Sequence, residues 1–174
     1  SVVPLSSLIQ AVPSSIAYNT ATTISWSTAS ASSCSVSPPG WTGTSNGAIS
    51  TGNLTTTTTY TLTCSGVAGG STSSSATVTV GGPPPSGTSA TPDGDTVYSN
   101  SIRRTYANGV SNATTVYFPT WSNPGGQDDI VWYPGINAGG GTWYYDINLN
   151  NHGAGVMNTH VYMVNADYPL VFLD

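Results

Sequence analysis

The chain has no lysine and no glutamate, and only 5% of its 174 residues are charged, against roughly 25% in ordinary soluble proteins. Seven aspartates oppose Arg103 and Arg104, giving a net charge of −5. Each shortage excludes something. Two adjacent arginines make no basic footprint for nucleic acid and no polybasic patch for a membrane surface. No apolar run approaches the ~18 residues that mark a membrane-spanning helix, so membrane insertion is not expected. Without a lysine amine, a sortase-style or intramolecular isopeptide bond cannot form, and any polymer of this chain must be non-covalent. A trypsin-like protease finds only the Arg103–Arg104 dipeptide. The two cysteines, Cys34 and Cys64, show no C-x-x-C metal or redox spacing. They are read as one disulfide, which implies an oxidising compartment. No leader pattern opens the chain at Ser1, as expected if a leader has been removed or if the sequence is a piece of something longer.

What fills the chain instead is Ser, Thr, Asn and Gly, with aromatics at 10%, too many for a disordered segment. Alternation indicates strands throughout. Ile24-Ser25-Trp26-Ser27, Tyr60-Thr61-Leu62-Thr63-Cys64 and Ala76-Thr77-Val78-Thr79-Val80 each put apolar residues on one face and small hydroxyls on the other, the pattern of a half-buried antiparallel strand. Tyr60, Leu62 and Cys64 share a face, so the disulfide is expected inside a sandwich near Trp26. The stretch GGPPPSGTSATPDGD, residues 81–95, reads as a Pro/Gly/Ser linker. The expectation is an all-β fold of two β-sandwich-like domains, 1–80 and 96–174, joined by that linker.

Few residues suggest chemistry. Asp128 and Asp129 stand side by side in GGQDDIVWY, residues 125–133. On a strand, neighbours point to opposite faces, so this pair cannot flank a glycosidic bond as two catalytic carboxylates must, ~5–9 Å apart. In a turn, one of them accepts backbone N–H bonds at the strand entry, and that is the role expected. A calcium site drawing on Asp93, Asp95, Asp128 and Asp129 is the alternative, without any EF-hand or repeat spacing to support it. His152 and His160, the only histidines, form no zinc motif; the first reads as a turn residue, the second as a strand residue. No G-x-S-x-G elbow activates a serine. The chain is therefore expected to be no enzyme, with no catalytic residue, resident metal or other cofactor.

Binding is the better expectation. Trp121, Trp132 and Trp143 recur every eleven residues, each beside a strand-like segment separated by Gly-rich turns, which describes a β-meander. Exposed Trp and Tyr offer flat apolar faces to sugars or to protein partners. With Trp132 and Tyr144 placed in the core, alternation turns Tyr133, Trp143 and Tyr145 outward as a glycan or subunit contact. At the other end, Val2, Val3, Leu5, Leu8, Ile9 and Val12 make a segment too apolar to lie free in solvent. It either pairs with the edge of its own domain or adds a strand to a neighbouring subunit. The Thr55–Thr59 and Ser71–Ser75 runs have the composition of O-glycosylation sites.

Two resemblances sharpen this. ISWSTASASSCSV, GWTG, STGNLTTTTTYTLTCSG and ATVTV, over roughly residues 8–80, resemble bacterial immunoglobulin-like domains, which implies a spacer or stalk. Tyr60 lies four residues before Cys64 rather than two, so the antibody strand assignment of the disulfide is not carried over. VSNATTVYFPTWSNPGGQDDIVWY, GGGTWYYDINLNNHG and MNTHVYM, over about residues 97–173, resemble the GBS Bsp-like repeat of bacterial secreted and surface proteins. That resemblance implies a β-sandwich-like module at the bacterial cell surface and brings no catalytic residues. Three functions follow as expectations. The first is a self-assembling subunit of a surface filament, with itself or other surface proteins as partners. The second is a carbohydrate-binding or adhesin module that meets glycans, and the third an accessory piece of a secreted hydrolase.

Overall fold

The structure is a computed structural model that describes residues 3–38, 40–43, 46–92, 101–123 and 125–173. It is all-β: the described residues form strands, turns and a single 3-10 turn. None of their helices is long and apolar enough to cross a membrane. The chain divides into two compact units, Ser1–Pro83 and Pro84–Asp174.

The N-terminal unit contains β1 (Ser6–Val12), β2 (Ser15–Ile16), β3 (Thr23–Ala29), β4 (Ala31–Ser37), β5 (Trp41–Gly43), β6 (Gly47–Ser50), β7 (Thr58–Gly66) and β8 (Ser71–Val80). One sheet has the order β1-β3-β6 and the other β2-β8-β7-β4-β5. Alternation decides the faces. Ile24, Val36, Tyr60, Leu62, Cys64 and Val78 form the core, with Trp26 and Trp41 packed against it. The opposite face of β7 and β8 is a hydroxyl ladder, with Thr59 bonded to Thr77 and Thr61 to Ser75. Gly47 lies under the Trp26 ring, where a Cβ would sit 2.5 Å from Cζ2, so a larger residue on β6 would displace the indole.

Cys34 and Cys64 form the disulfide and are register partners on neighbouring strands β4 and β7. The bridge therefore staples one sheet and does not cross between two. With a sequence separation of 30, the chain-entropy account gives it about 3–4 kcal/mol of stabilisation.

Of the two courses expected for the N-terminal segment, pairing with its own domain is the one observed. The apolar N-terminal segment is part of its own domain: β1 pairs antiparallel with β3 from Ser6↔Ala29 to Val12↔Thr23. Ile9 enters the core and Leu5 packs against it. Val3, Leu8 and Val12 lie exposed, and Val2 lies outside the described residues. Burial of Ile9 at home explains why the strand stays with its own sheet. Within the expected 81–95 linker, residues 81–92 are tied to the two units by hydrogen bonds. The Gly81 N–H donates to Ile16 O, Ser86 exchanges backbone bonds with Ser111, and Ser89–Pro92 is a strand of the second unit.

That unit contains β9 (Ser89–Pro92), β10 (Ile102–Asn108), β11 (Thr115–Ser122), β12 (Val131–Pro134), β13 (Ile136–Gly139), β14 (Thr142–Asn148), β15 (Met157–Thr159), β16 (Tyr162–Val164) and β17 (Val171–Phe172). Its sheets have the orders β13-β14-β10-β9 and β12-β11-β16-β17, with β15 also paired to β11. Val116 and Phe118 of β11 meet Ala107 of β10 and Trp143 and Ile147 of β14 in the core between them. Gly135 is required where β12 turns into β13, because a Cβ there would lie 2.9 Å from both Phe118 Cε2 and Val116 O.

Candidate functional site

The adjacent aspartates do different things. Asp129 turns inward from the loop between β11 and β12. Its carboxylate accepts hydrogen bonds from the Ser122 N–H at 2.9 Å, the Ser122 hydroxyl at 2.6 Å and the Gly153 N–H at 2.8 Å. The Ser122 hydroxyl first, then the Gly153 and Ser122 amides, lower its pKa to about 2, because all three favour the ionised form. Asp128 stays at the surface. Asp129 thus ties two loops together, and no group of three His, Cys, Asp or Glu side chains able to hold a metal occurs among the described residues. Asp93 and Asp95 lie outside them.

His152 is also more than a turn residue. It follows the 3-10 turn Leu149–Asn151, which Asn148 caps by accepting the Asn150 N–H. Its side chain is fully buried, with Nδ1 3.7 Å from Asp129 and Nε2 2.9 Å from the Tyr133 hydroxyl. Burial raises the Tyr133 pKa. Asp129, His152 and Tyr133 form a polar cluster that brings together the loop after β11, the turn after β14, and β12. Sequence spacing gave no sign of it, since the three residues come from separate loops and strands.

The aromatic face is the reverse of the one expected. Tyr133 and Trp143 are only 7% and 8% exposed, and Tyr145 packs against the same core. The pairing explains the inversion: Tyr133 lies opposite the fully buried Phe118, and Trp132 opposite Pro119 on the outer side. Tyr133 and Tyr145 stack at 4.9 Å, joining the two sheets across the interior. These three side chains therefore cannot be the surface contact.

The outward face of the β12-β11-β16-β17 sheet carries an aromatic strip of its own. Trp132, 44% exposed, meets the Tyr117 ring edge-on at 6.1 Å and Tyr162 at 5.4 Å. Tyr162 meets Phe172, 46% exposed, at 5.4 Å. His160 lies 5.0 Å from Phe172 and 4.8 Å from Trp121. Register lines up the rings, with Tyr117 opposite Tyr162 and Tyr162 opposite Phe172. At ~4.8 Å between strands, four strands give a strip about 14 Å across. The alternation Tyr117-Phe118-Pro119-Thr120-Trp121 held the signal for its centre; Phe172, on a two-residue strand, gave none.

On the outer face of the other sheet, Arg104 forks onto Asp146, with Nε and Nη2 each 2.6 Å from a carboxylate oxygen. Its guanidinium carbon lies 4.4 Å above the Tyr144 ring. The arginine holds the Asp146 carboxyl below the usual range. One of the two cations is thereby consumed, and Arg103 remains.

Residues 96–174 match the family model of the GBS Bsp-like repeat. No curated protein matches the chain. Similar solved structures include a chain of the mouse coronavirus receptor-binding domain complexed with its murine receptor, at 13% identity and a TM-score of 0.47, covering 97% of this chain and 96% of that one. A Ca2+-stabilised adhesin by which an Antarctic bacterium binds ice is similar at 17% identity and a TM-score of 0.41, covering 99% of this chain and 48% of that one. A 1.5-MDa bacterial ice-binding adhesin is similar at 12% identity and a TM-score of 0.34, covering 98% and 62%.

Proposed function

We propose that this chain is a non-catalytic adhesive module of an extracellular bacterial protein, and that the aromatic strip of its C-terminal domain holds a surface polysaccharide. The carrying observation is the row of Trp132, Tyr117, Tyr162 and Phe172 on one rigid sheet face. Exposed rings fixed by strand pairing are costly to leave in water, and their π-faces stack on the apolar faces of sugar rings at little cost in side-chain freedom. The match of residues 96–174 to a repeat family, the disulfide and the hydroxyl-rich, charge-poor composition support an extracellular setting. The N-terminal sandwich serves as an immunoglobulin-like spacer.

The test is retention of the intact protein in gels containing bacterial wall and capsular polysaccharides. Trp132→Ala combined with Phe172→Ala is expected to weaken binding by about fivefold or more on a polysaccharide that retains the parent, at about 0.5–1.5 kcal/mol per aromatic contact. Equal retention of parent and variant would remove the strip from the reading.

A second reading, a non-covalent filament subunit, rests on β1. It is an edge strand with Leu8 and Val12 exposed, and an edge offers unpaired backbone groups to another chain. Negative-stain electron microscopy beside a solution mass separates the two. Regular fibres favour the filament, and a monodisperse particle near 17.8 kDa favours the module.

A further inference from the structure

A cavity of about 260 Å³ opens at the side of the C-terminal sandwich, lined by β9 and β10 of one sheet and by residues 157–161 of the other. On β10, Arg103, Thr105 and Ala107 alternate onto the inner face, because Thr105 and Ala107 are buried while Arg104 reaches Asp146 on the outer one. Arg103 therefore brings a cation to the cavity wall. No ion pair of Arg103 occurs among the described residues; the carboxylate nearest in register, Asp146, belongs to Arg104. Thr105 is 2% exposed, yet its Oγ1 is buried without a hydrogen-bond partner. Thr159, whose hydroxyl is bonded to Thr120, and the buried Val161 line the opposite wall.

Buried polar groups are ordinarily paired, and an orphan in a native fold calls for an explanation. An orphan hydroxyl and an inward arginine on one cavity share that explanation if a polar ligand fills it. Arg103 offers the five N–H bonds of a guanidinium, and Thr105 a hydroxyl that can donate or accept. A guanidinium matches a carboxylate in bidentate fashion. The volume lies below the ~300–1,000 Å³ of drug-sized sites, which suits one ring and excludes a chain. His160 borders both this cavity and the aromatic strip.

We infer that the cavity binds the carboxylate of an acidic sugar, with Arg103 on the carboxylate and Thr105 on a neighbouring oxygen. This deepens the polysaccharide reading and rests on it for the choice of a sugar. The strip would hold the chain of the glycan while the cavity selects a unit that bears a carboxylate.

The experiment is calorimetric titration of the full chain with galacturonic, glucuronic and N-acetylneuraminic acids, each beside its neutral methyl ester. At least one acid is expected to bind, its ester at least tenfold more weakly, and Arg103→Gln is expected to abolish the heat. Thr105→Val should weaken that acid at least tenfold without lowering the melting temperature, since it removes an orphan hydroxyl at nearly constant volume. A Thr105 that served only the fold would leave the affinity unchanged. Absence of binding by all three acids, equal binding of acid and ester, or full affinity in Thr105→Val would each overturn the assignment. Trp132→Ala separates the two sites: it is expected to retain the monosaccharide, so loss of the strip reading on polysaccharides leaves the cavity result standing.

Discussion

The face assignment of the aromatic strands can be tested by two tryptophans eleven residues apart. Trp143 is 8% exposed and packs in the C-terminal core, opposite Ala107 of β10. Truncation of such a residue to alanine costs about 3–5 kcal/mol in lost transfer energy and cavity formation. The unit from Pro84 to Asp174 is expected to have a total stability of about 5–14 kcal/mol, at ~0.05–0.15 kcal/mol per residue. Trp143→Ala therefore removes a large fraction of it and lowers the melting temperature by more than about 10 °C. Trp132 lies 44% exposed and loses only its contacts with Tyr117 and Tyr162, so Trp132→Ala costs about 1 kcal/mol. The sequence itself provides a domain-specific assay. Trypsin can cut only after Arg103 or Arg104, and both lie on β10, paired to β14. Cleavage requires that unit to open, and its rate follows the open population when reclosing is fast. At about 1.4 kcal/mol per decade, Trp143→Ala should accelerate cleavage by about two to three and a half orders of magnitude and Trp132→Ala by about fivefold. A Trp143→Ala variant cut at the parent's rate, beside a rapidly cut Trp132→Ala, would show that the strand faces had been assigned the wrong way round.

Two further predictions concern the loops and the first strand. The Asp129 pKa of about 2 lies below the unfolded value near 3.9, so its three hydrogen bonds contribute stability that is fully present above about pH 4 and is lost as the pH falls toward 2. Asp129→Asn should lower the urea midpoint at pH 7 and approach the parent at pH 2; a constant gap across that range would deny the carboxylate this role. Removal of residues 1–12 strips β1, with Ile9, from the N-terminal core and should abolish the calorimetric transition of that unit. A truncated protein with both transitions intact would show that β1 is dispensable at home and free to pair elsewhere.

The sequence by itself determined the class of this protein. Period-two alternation in Tyr60-Thr61-Leu62-Thr63-Cys64 specifies a strand with a buried face whatever its neighbours, since adjacent side chains must point apart. The absence of lysine and glutamate limits partners without reference to any fold. The GBS Bsp-like resemblance was legible because WSNPGGQDDIVWY is a contiguous string.

What alternation cannot supply is which of its two faces turns inward. Val131-Trp132-Tyr133 contains apolar residues at every position, so both phases are chemically acceptable and local sequence cannot choose between them. The choice came from pairing: Tyr133 lies opposite Phe118, and Phe118 is committed to the core by its place between the sheets. The apolar N-terminal segment posed the same kind of question, and β3 answered it. Asp129 with His152, the aromatic strip and the Arg103 cavity all join residues from strands and loops far apart in the chain. Strand pairing within one sheet assembles the strip, and the packing of two sheets closes the cavity; neither neighbourhood has a counterpart along the sequence.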